Sequence, residues 1–293
     1  MALEPYLNSQ HLQYRFIHDR MVMYYGGVQR NMVKFGDVAV HSAGSGPPVV
    51  LLHANGGSHH DFDALIDSLA MHATVYAVDW PGHGDSGTGA EPGACAFADL
   101  LPPILESLGR GPYTLVGNSV GGFAAIRTAA RHPHLVRNLV LVNPGGFTPR
   151  WPTTFIACRL FGWERFAPIA MRLLPRLYLR RRTPGVDEIR RAATIAARSK
   201  TQTRTFAKVW RSFTDTNHNA VPDASRVEVP VLLVWGTRDP ILPWWIDGRR
   251  AKKSLPHAQV VKLPCGHQAF AEMPDEFLAD LEQFLGSKGE GST

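Results

Sequence analysis

Leu115 to Gly122 read LVGNSVGG: an apolar run halts at a lone serine set between glycines, and FAAIRTAARH (123–132) follows at helical spacing. With glycine at about 7% of average composition, a bare GxSxG match is expected by chance in roughly one chain of this size in ten, so its surroundings must decide. A short buried-type run followed by an alanine-rich segment is a strand followed by a helix. Ser119 then sits at their junction, where a sharp turn lifts its hydroxyl above the carboxyl edge of a sheet. Gly117, Gly121 and Gly122 fit that turn, because residues without Cβ tolerate a strained backbone and let helix and strand approach closely.

Outward from this point, strand and helix patterns alternate. On the N-terminal side, two alternating stretches flank a Gly36-Asp37 turn and lead into the interior run Val49 to Leu52. A helical stretch (61–71), a strand (74–80), the glycine-rich loop PGHGDSG (81–87) and a helix (95–108) come next. Pro102 and Pro103 predict a kink or a late start in that helix. On the C-terminal side, strand 113–117, helix 120–132 and strand 138–143 complete this half. Continuous apolar strands separated by helices imply a parallel sheet covered on both faces, an α/β architecture. The pattern breaks at NPGGFTPRWP (143–152), and residues 147–222 read as helices interrupted by Pro168, Pro175 and Pro184-Gly185. Strands return at 229–236 and 258–264, before an amphipathic helix at 274–285. The predicted organisation is an N-terminal extension (1–30), a core in two parts (31–146 and 223–286) enclosing an inserted helical cap (147–222), and a flexible tail (287–293).

Composition bounds the function. A chain of 293 residues, 44% hydrophobic and 19% charged, suits one globular domain with an insertion. It holds no run of the roughly 20 apolar residues that span a bilayer, and the first thirty residues lack a signal-peptide core. Cys95, Cys158 and Cys265 are odd in number and without CxxC spacing, so they predict neither a disulfide framework nor a zinc site. Reduced thiols in a cytoplasm are the expectation. The net charge of +6 is uneven: residues 147–222 hold 15 Lys+Arg against 4 Asp+Glu. Within it, Arg172, Arg176, Arg180, Arg181 and Arg182 alternate with leucines and Tyr178. That pattern fits weak association with an anionic membrane, and equally a solvated basic face. Nothing resembles a nucleic-acid recognition motif.

A serine hydroxyl becomes a nucleophile near neutral pH only with a base in hydrogen-bond reach and a third group orienting that base. WGTRDPILP (235–243) places Asp239 after one strand, and LPCGHQAF (263–270) places His267 after the next. The rival acid position after strand 138–143 holds Asn143, which cannot carry the charge. Acyl chemistry further needs N–H donors for an oxyanion: the backbone of Val120 after the nucleophile, and that of Asn55 in HANGG (53–57). Asn118, Phe147, Trp151, Trp210 and Phe270 are the candidates for contact with substrate.

In order, LLHANGG (51–57), DWPGHGDS (79–86), GNSVGG (117–122), WGTRDP (235–240) and CGHQ (265–268) resemble the motifs of the lidded α/β-hydrolases, from about Asn31 to Leu285. The resemblance implies an eight-stranded, mostly parallel sheet with helices on both faces and a helical cap after the sixth strand. It also implies that His83, Asp85 and Ser86 form a structural turn, and that His53 anchors the oxyanion loop. GNSVGG with NPGG (143–146) is similar to the branch that hydrolyses carbon–carbon bonds of ring-cleavage products. That branch tends to carry tryptophan after the histidine, where this chain has Gln268, Ala269 and Phe270, and Ala54 stands where glycine is usual. The expected function is a serine hydrolase acting on a small to medium hydrophobic carboxylic ester through an acyl-enzyme, without metal or organic cofactor. A carbon–carbon bond hydrolase and a non-catalytic binder on the same fold are the alternatives.

Overall fold

Ten strands share one sheet: β1 (Gln13–Ile17), β2 (Arg20–Tyr25), β3 (Val28–Phe35), β4 (Val38–Ala43), β5 (Pro48–Leu52), β6 (Thr74–Val78), β7 (Tyr113–Asn118), β8 (Val136–Val142), β9 (Val231–Gly236) and β10 (Gln259–Leu263). The computed structural model describes residues 13–17, 20–25 and 28–286; the tail 287–293 lies outside them. The strand order is β1-β2-β3-β4-β6-β5-β7-β8-β9-β10. β5 to β10 pair in parallel, and the N-terminal strands pair antiparallel as far as β4 on β6. The eight strands expected from the sequence are β3 to β10. β1 and β2, which the periodicity of the first thirty residues did not reveal, extend the antiparallel edge.

The interior strands are buried throughout, YTLVGN in β7 and VLLVWG in β9, as a sheet covered on both faces requires. Along β5, Val50 and Leu52 point into one core and Val49 and Leu51 into the other, the two-residue alternation of a strand. Helices α1 (Asp63–Ala70), α2 (Ala94–Leu108) and α3 (Val120–Arg131) follow β5, the 81–93 loop and β7. α2 and α3 fill the first core and α1 the second. α2 starts at Ala94 and runs through Pro102 and Pro103 rather than starting late.

Between β8 and β9 lie α4 (Pro152–Phe161), α5 (Ala167–Tyr178), α6 (Pro184–Ala196), α7 (Lys200–Ser212) and α8 (Val221–Ala224). Two of the prolines that looked like interruptions are helix starts: Pro168 and Pro184 stand in the first turns of α5 and α6, where a missing N–H costs nothing. Thr183 and Ser199 cap α6 and α7 by accepting from the N–H groups of Val186 and Gln202. Ala167, Ala170, Met171, Leu174, Phe206 and Ala207 give these helices a small core of their own. The insert leaves and rejoins the body at one point, where the Ala220 N–H donates to the Gly146 carbonyl at 2.8 Å. α9 (Arg249–Ser254), α10 (Ala269–Glu272) and α11 (Pro274–Gly286) complete the chain. Among the described residues no helix is long and apolar enough to cross a membrane.

From β5 the chain passes to β6 on one side and later to β7 on the other, so strand order reverses between β5 and β7. Such a switch point opens a crevice outside the carboxyl ends of the strands. Leu52 is in register with Gly117, so the segments after β5 and β7 emerge side by side there. α3 is drawn tightly onto β5 at the same place. A Cβ on Gly121 would collide with the backbone carbonyl of Leu52, whereas one on Gly185 in α6 would have 3.8 Å to its nearest neighbour. Gly121→Ala is therefore expected to cost about 1–3 kcal/mol, the usual penalty of overpacking, and Gly185→Ala to be neutral or mildly stabilising; urea unfolding of the two variants measures the contrast.

Candidate active site

Ser119 joins β7 to α3 with φ 53° and ψ −115°, a left-handed backbone that costs a non-glycine residue about 1–3 kcal/mol and persists only where its surroundings enforce it. Three backbone hydrogen bonds do so. Its N–H donates to Val142 at 3.2 Å, and its carbonyl accepts from Phe123 at 3.0 Å and Gly145 at 2.8 Å. The flanking glycines are steric necessities. A Cβ on Gly117 would strike the backbone of Gly121 and Gly122, and one on Gly122 would strike Pro144.

The two other expected members come together after β9 and β10. His267 Nδ1 lies 2.6 Å from Asp239 Oδ2, and both residues are buried. Asp239 Oδ1 accepts from the N–H groups of Ile241 at 2.8 Å and Leu242 at 3.2 Å, and Oδ2 accepts also from Asn143 Nδ2 at 2.7 Å. With its lone pairs so occupied, the carboxylate has one orientation. Asn143, considered in the sequence only as a poor acid, proves to be the residue that aims it: its Oδ1 accepts from Gly236 N–H at 2.8 Å, fixing the amide between β8 and β9. A polar residue directly after a strand, beside the acid-bearing strand, was the available signal. The His267 backbone is pinned as well, its N–H to the Tyr178 carbonyl at 3.0 Å and its carbonyl from Asn118 Nδ2 at 2.9 Å. Since Nδ1 faces the carboxylate, Nε2 is the ring nitrogen left for chemistry.

Ser119 and His267 line one cavity of about 340 Å³, roofed by α4, α5 and α7. Asn55 and Val120 line it too, and the Val120 N–H, at the first position of α3, has no acceptor within its helix. The loop carrying Asn55 is braced from behind. His53 Nε2 accepts from the Trp80 N–H at 3.0 Å and its Nδ1 meets the Ala54 carbonyl at 2.7 Å. Burial pushes its pKa down to about 4, which keeps the ring neutral. His83 Nε2 accepts from the Gly56 N–H at 3.1 Å, and Ser86 Oγ donates to the Asp79 carbonyl at 2.6 Å. Residues 81–87 thus form a turn that supports the β5 loop.

Of the residues expected to touch substrate, the structure brings only Trp210 to the cavity. Asn118 is fully buried, its amide spent on the carbonyls of Val142 and His267. Phe147 lies in the α2–α3 core, and Phe270 packs on Phe62 and Phe277 beneath the opposite face. α10 begins directly after Gln268 and turns its whole length inward, so nothing following His267 reaches the cavity. Trp151 is 48% exposed on the outside of α4. Sequence reasoning missed Met171, Leu174, Phe206 and His218, which do line the cavity. Gln268, in place of the tryptophan common to the carbon–carbon branch, donates to the buried Asp61 at 3.1 Å. Cys158 and Cys265 are buried, and burial raises their thiols to about 11 and about 12, far from thiolate nucleophiles.

Among the described residues one further group has metal-ligand types, His41, His59, Asp79 and Asp85. The two imidazoles stack at 3.5 Å with 16° between their planes. Asp79 accepts from the His59 N–H at 2.7 Å and the Asp85 N–H at 2.9 Å, while His41 Nε2 lies 3.5 Å from Asp79 and 3.1 Å from Asp85. Against the opposing effect of burial, the two carboxylates raise His41 to about 9. The group is an ionic clamp on the 81–87 turn, buried except at Asp85. Because the folded pKa stands above the unfolded one, the clamp's contribution is complete below about pH 6.5 and is lost as pH rises through about 9. Unfolding free energy is expected to fall over that window by on the order of 2 kcal/mol more in the wild type than in His41→Gln, as read by urea denaturation at successive pH values.

A family model described as alpha/beta hydrolase fold matches residues 47–274. The chain is 30% identical over 271 residues to the pyrrolizixenacetamide deacetylase of Xenorhabdus hominickii, covering 88% of this chain and 98% of that one. It is 28% identical over 257 residues to the pimeloyl-[acyl-carrier protein] methyl ester esterase of Nitrosomonas europaea, covering 83% and 97% respectively. With the 2-hydroxy-6-oxo-2,4-heptadienoate hydrolase of Pseudomonas putida it shares 26% identity over 278 residues, 92% and 96% of the two chains.

Proposed function

The chain belongs to the α/β-hydrolase fold family and is a hydrolase, and on that premise we propose that it cleaves small to medium hydrophobic carboxylic esters through a Ser119–His267–Asp239 triad. The observation that carries this reading is the 2.6 Å bond holding the His267 ring against Asp239, with Ser119 on its strained turn lining the same cavity. His267 Nε2 takes the hydroxyl proton as Ser119 Oγ attacks the carbonyl carbon. The N–H groups of Val120 and Asn55 hold the oxyanion, and Asp239 stabilises the imidazolium. Collapse of the intermediate breaks the ester bond, and the proton passes from His267 to the departing alkoxide. Water, deprotonated by His267, then releases the acid and restores Ser119. The route needs no metal or organic cofactor. Met171, Leu174, Phe161 and Phe206 on the cavity wall suit an apolar acyl group, and residues 147–222 serve as the cap over it. The three cysteines are free thiols, and a reducing cytoplasm is the setting we propose.

The second reading, hydrolysis of a carbon–carbon bond by the same triad, is favoured by the relative in Pseudomonas putida. A fluorophosphonate probe and a series of p-nitrophenyl esters of graded chain length separate the cases. Labelling and ester turnover in the wild type, with neither in Ser119→Ala and a loss on the order of 10⁶ in kcat, are expected. Labelling without turnover of any ester moves the assignment to the second reading. A folded wild type that is never labelled removes Ser119 as nucleophile.

The outer face of the cap carries a proposal about where substrate is met. Ile169, Leu173 and Leu177 form an exposed stripe along α5, and Ile156 and Leu160 one along α4, with Trp151 and Trp163 exposed beside α4. The buried faces of both helices pack on α7. Exposed Arg159, Arg165, Arg172 and Arg176 accompany these stripes, and among the described residues no carboxylate pairs with them. Apolar side chains interleaved with unneutralised arginines match an anionic lipid surface, and Phe155 brings that face to the rim of the cavity. The enzyme is expected to sediment with vesicles containing phosphatidylglycerol at low ionic strength, and to be released by salt. The pair Ile156→Glu and Leu173→Glu should abolish sedimentation while hydrolysis of a water-soluble ester continues. Failure to sediment at low ionic strength, or capture by an acidic protein instead of vesicles, overturns the proposal.

A further inference from the structure

His218, on the loop between α7 and α8, lines the cavity and carries an unpartnered ring nitrogen. Its Nε2 is buried and makes no hydrogen bond, and the Nε1 of Trp210, which lines the same cavity, is also buried and unpartnered. A buried polar atom left without a partner is costly, and ordinarily marks water or a ligand group to be bound.

The His218 ring is held rigidly. Phe213 stacks on it at 4.8 Å with 26° between planes, and Phe123 meets it edge-on at 4.7 Å. Burial, with Arg127 and Arg150 adding to it and Asp215 opposing, lowers the pKa to about 4, so the ring stays neutral, one nitrogen a donor and the other an acceptor.

A Cβ on Gly145 would lie 3.6 Å from His218 Nε2 and 3.3 Å from the Ser119 backbone carbonyl oxygen, so the ring packs against the residue whose N–H bonds that carbonyl. Around it the cavity wall is largely apolar, and an unpaired polar nitrogen there selects for a hydrogen-bonding group on whatever fills the space. We propose that His218 Nε2 is a hydrogen-bonding subsite for a hydroxyl on the acyl substrate, which makes hydroxyacyl esters the preferred class. Trp210 Nε1 supplies a donor for a second oxygen of such a molecule. The inference rests on the reading of this cavity as the substrate site. It also separates esters by chemistry rather than by length, since an unsubstituted chain would leave both nitrogens unpaired.

The test uses matched pairs, the 2- and 3-hydroxy derivatives of one straight-chain acid and the parent acid, with two readouts. Calorimetric binding of the free acids to Ser119→Ala is independent of catalysis. One hydroxy acid is expected to bind about tenfold more tightly than the parent, and Ser119→Ala/His218→Phe, which keeps an aromatic ring between Phe213 and Phe123, should bind both alike. In the wild type, kcat/KM for the ethyl esters should show the same preference, lost in His218→Phe. Equal binding of hydroxy and parent acids by Ser119→Ala, or a preference that survives His218→Phe, overturns the assignment. Absent fluorophosphonate labelling would refute the ester reading while leaving the binding ratio to decide the subsite on its own.

Discussion

Everything at this site hangs on the approach of α3 to the sheet. The turn at Ser119 is tight because the Gly121 Cα lies against the Leu52 carbonyl and Gly117 against the first turn of α3. No side chain of any size fits at either contact. Three backbone hydrogen bonds then hold the serine in a left-handed conformation. Since Leu52 and Gly117 are register partners, the constraint that lifts the hydroxyl also fixes its distance from the N–H groups after β5. The proposed nucleophile and oxyanion donors are thereby positioned by secondary structure, on buried interior strands and not by long loops.

The orienting half of the site has a different origin. Asp239 and Asn143 come from neighbouring strands and share a hydrogen bond in a place closed to water. Asn143 itself adopts φ 40°, so two strained residues, Ser119 and Asn143, leave adjacent strands β7 and β8 at the same level. Asn118 ties the carbonyls of Val142 and His267 together from below. Strain in these turns is offset by a polar lattice whose members hold one another, which is how buried networks confer rigidity.

How much of this could be read beforehand follows from how local each signal is. Parallel core strands announce themselves through unbroken apolar runs, and the elbow through its glycines; both are short-range patterns. Ser119, Asp239 and His267 could be picked out as candidates because each closely follows a readable strand. Contacts made by tertiary packing were not. Phe147 and Phe270 look as suited to a pocket as Phe206, and only the direction in which α10 and the 143–150 loop run decides that they face the sheet. Likewise His218 sits in TNHNA (216–220), a stretch with no periodicity, and its importance arises from Phe213 and Phe123 folding around it. β1 and β2 escaped notice because their pairing partners lie in the same short N-terminal segment.

The single hydrogen bond from Ala220 to Gly146 closes the neck of the helical insert, and its two ends meet there regardless of what lies between them. Loop closure of this kind makes the sheet indifferent to the length and composition of the intervening chain. The machinery proposed to break a bond and the surface proposed to choose which molecule is broken are thus separable by transplantation. A different set of helices grafted between positions 146 and 220 would inherit the same chemistry with a new clientele.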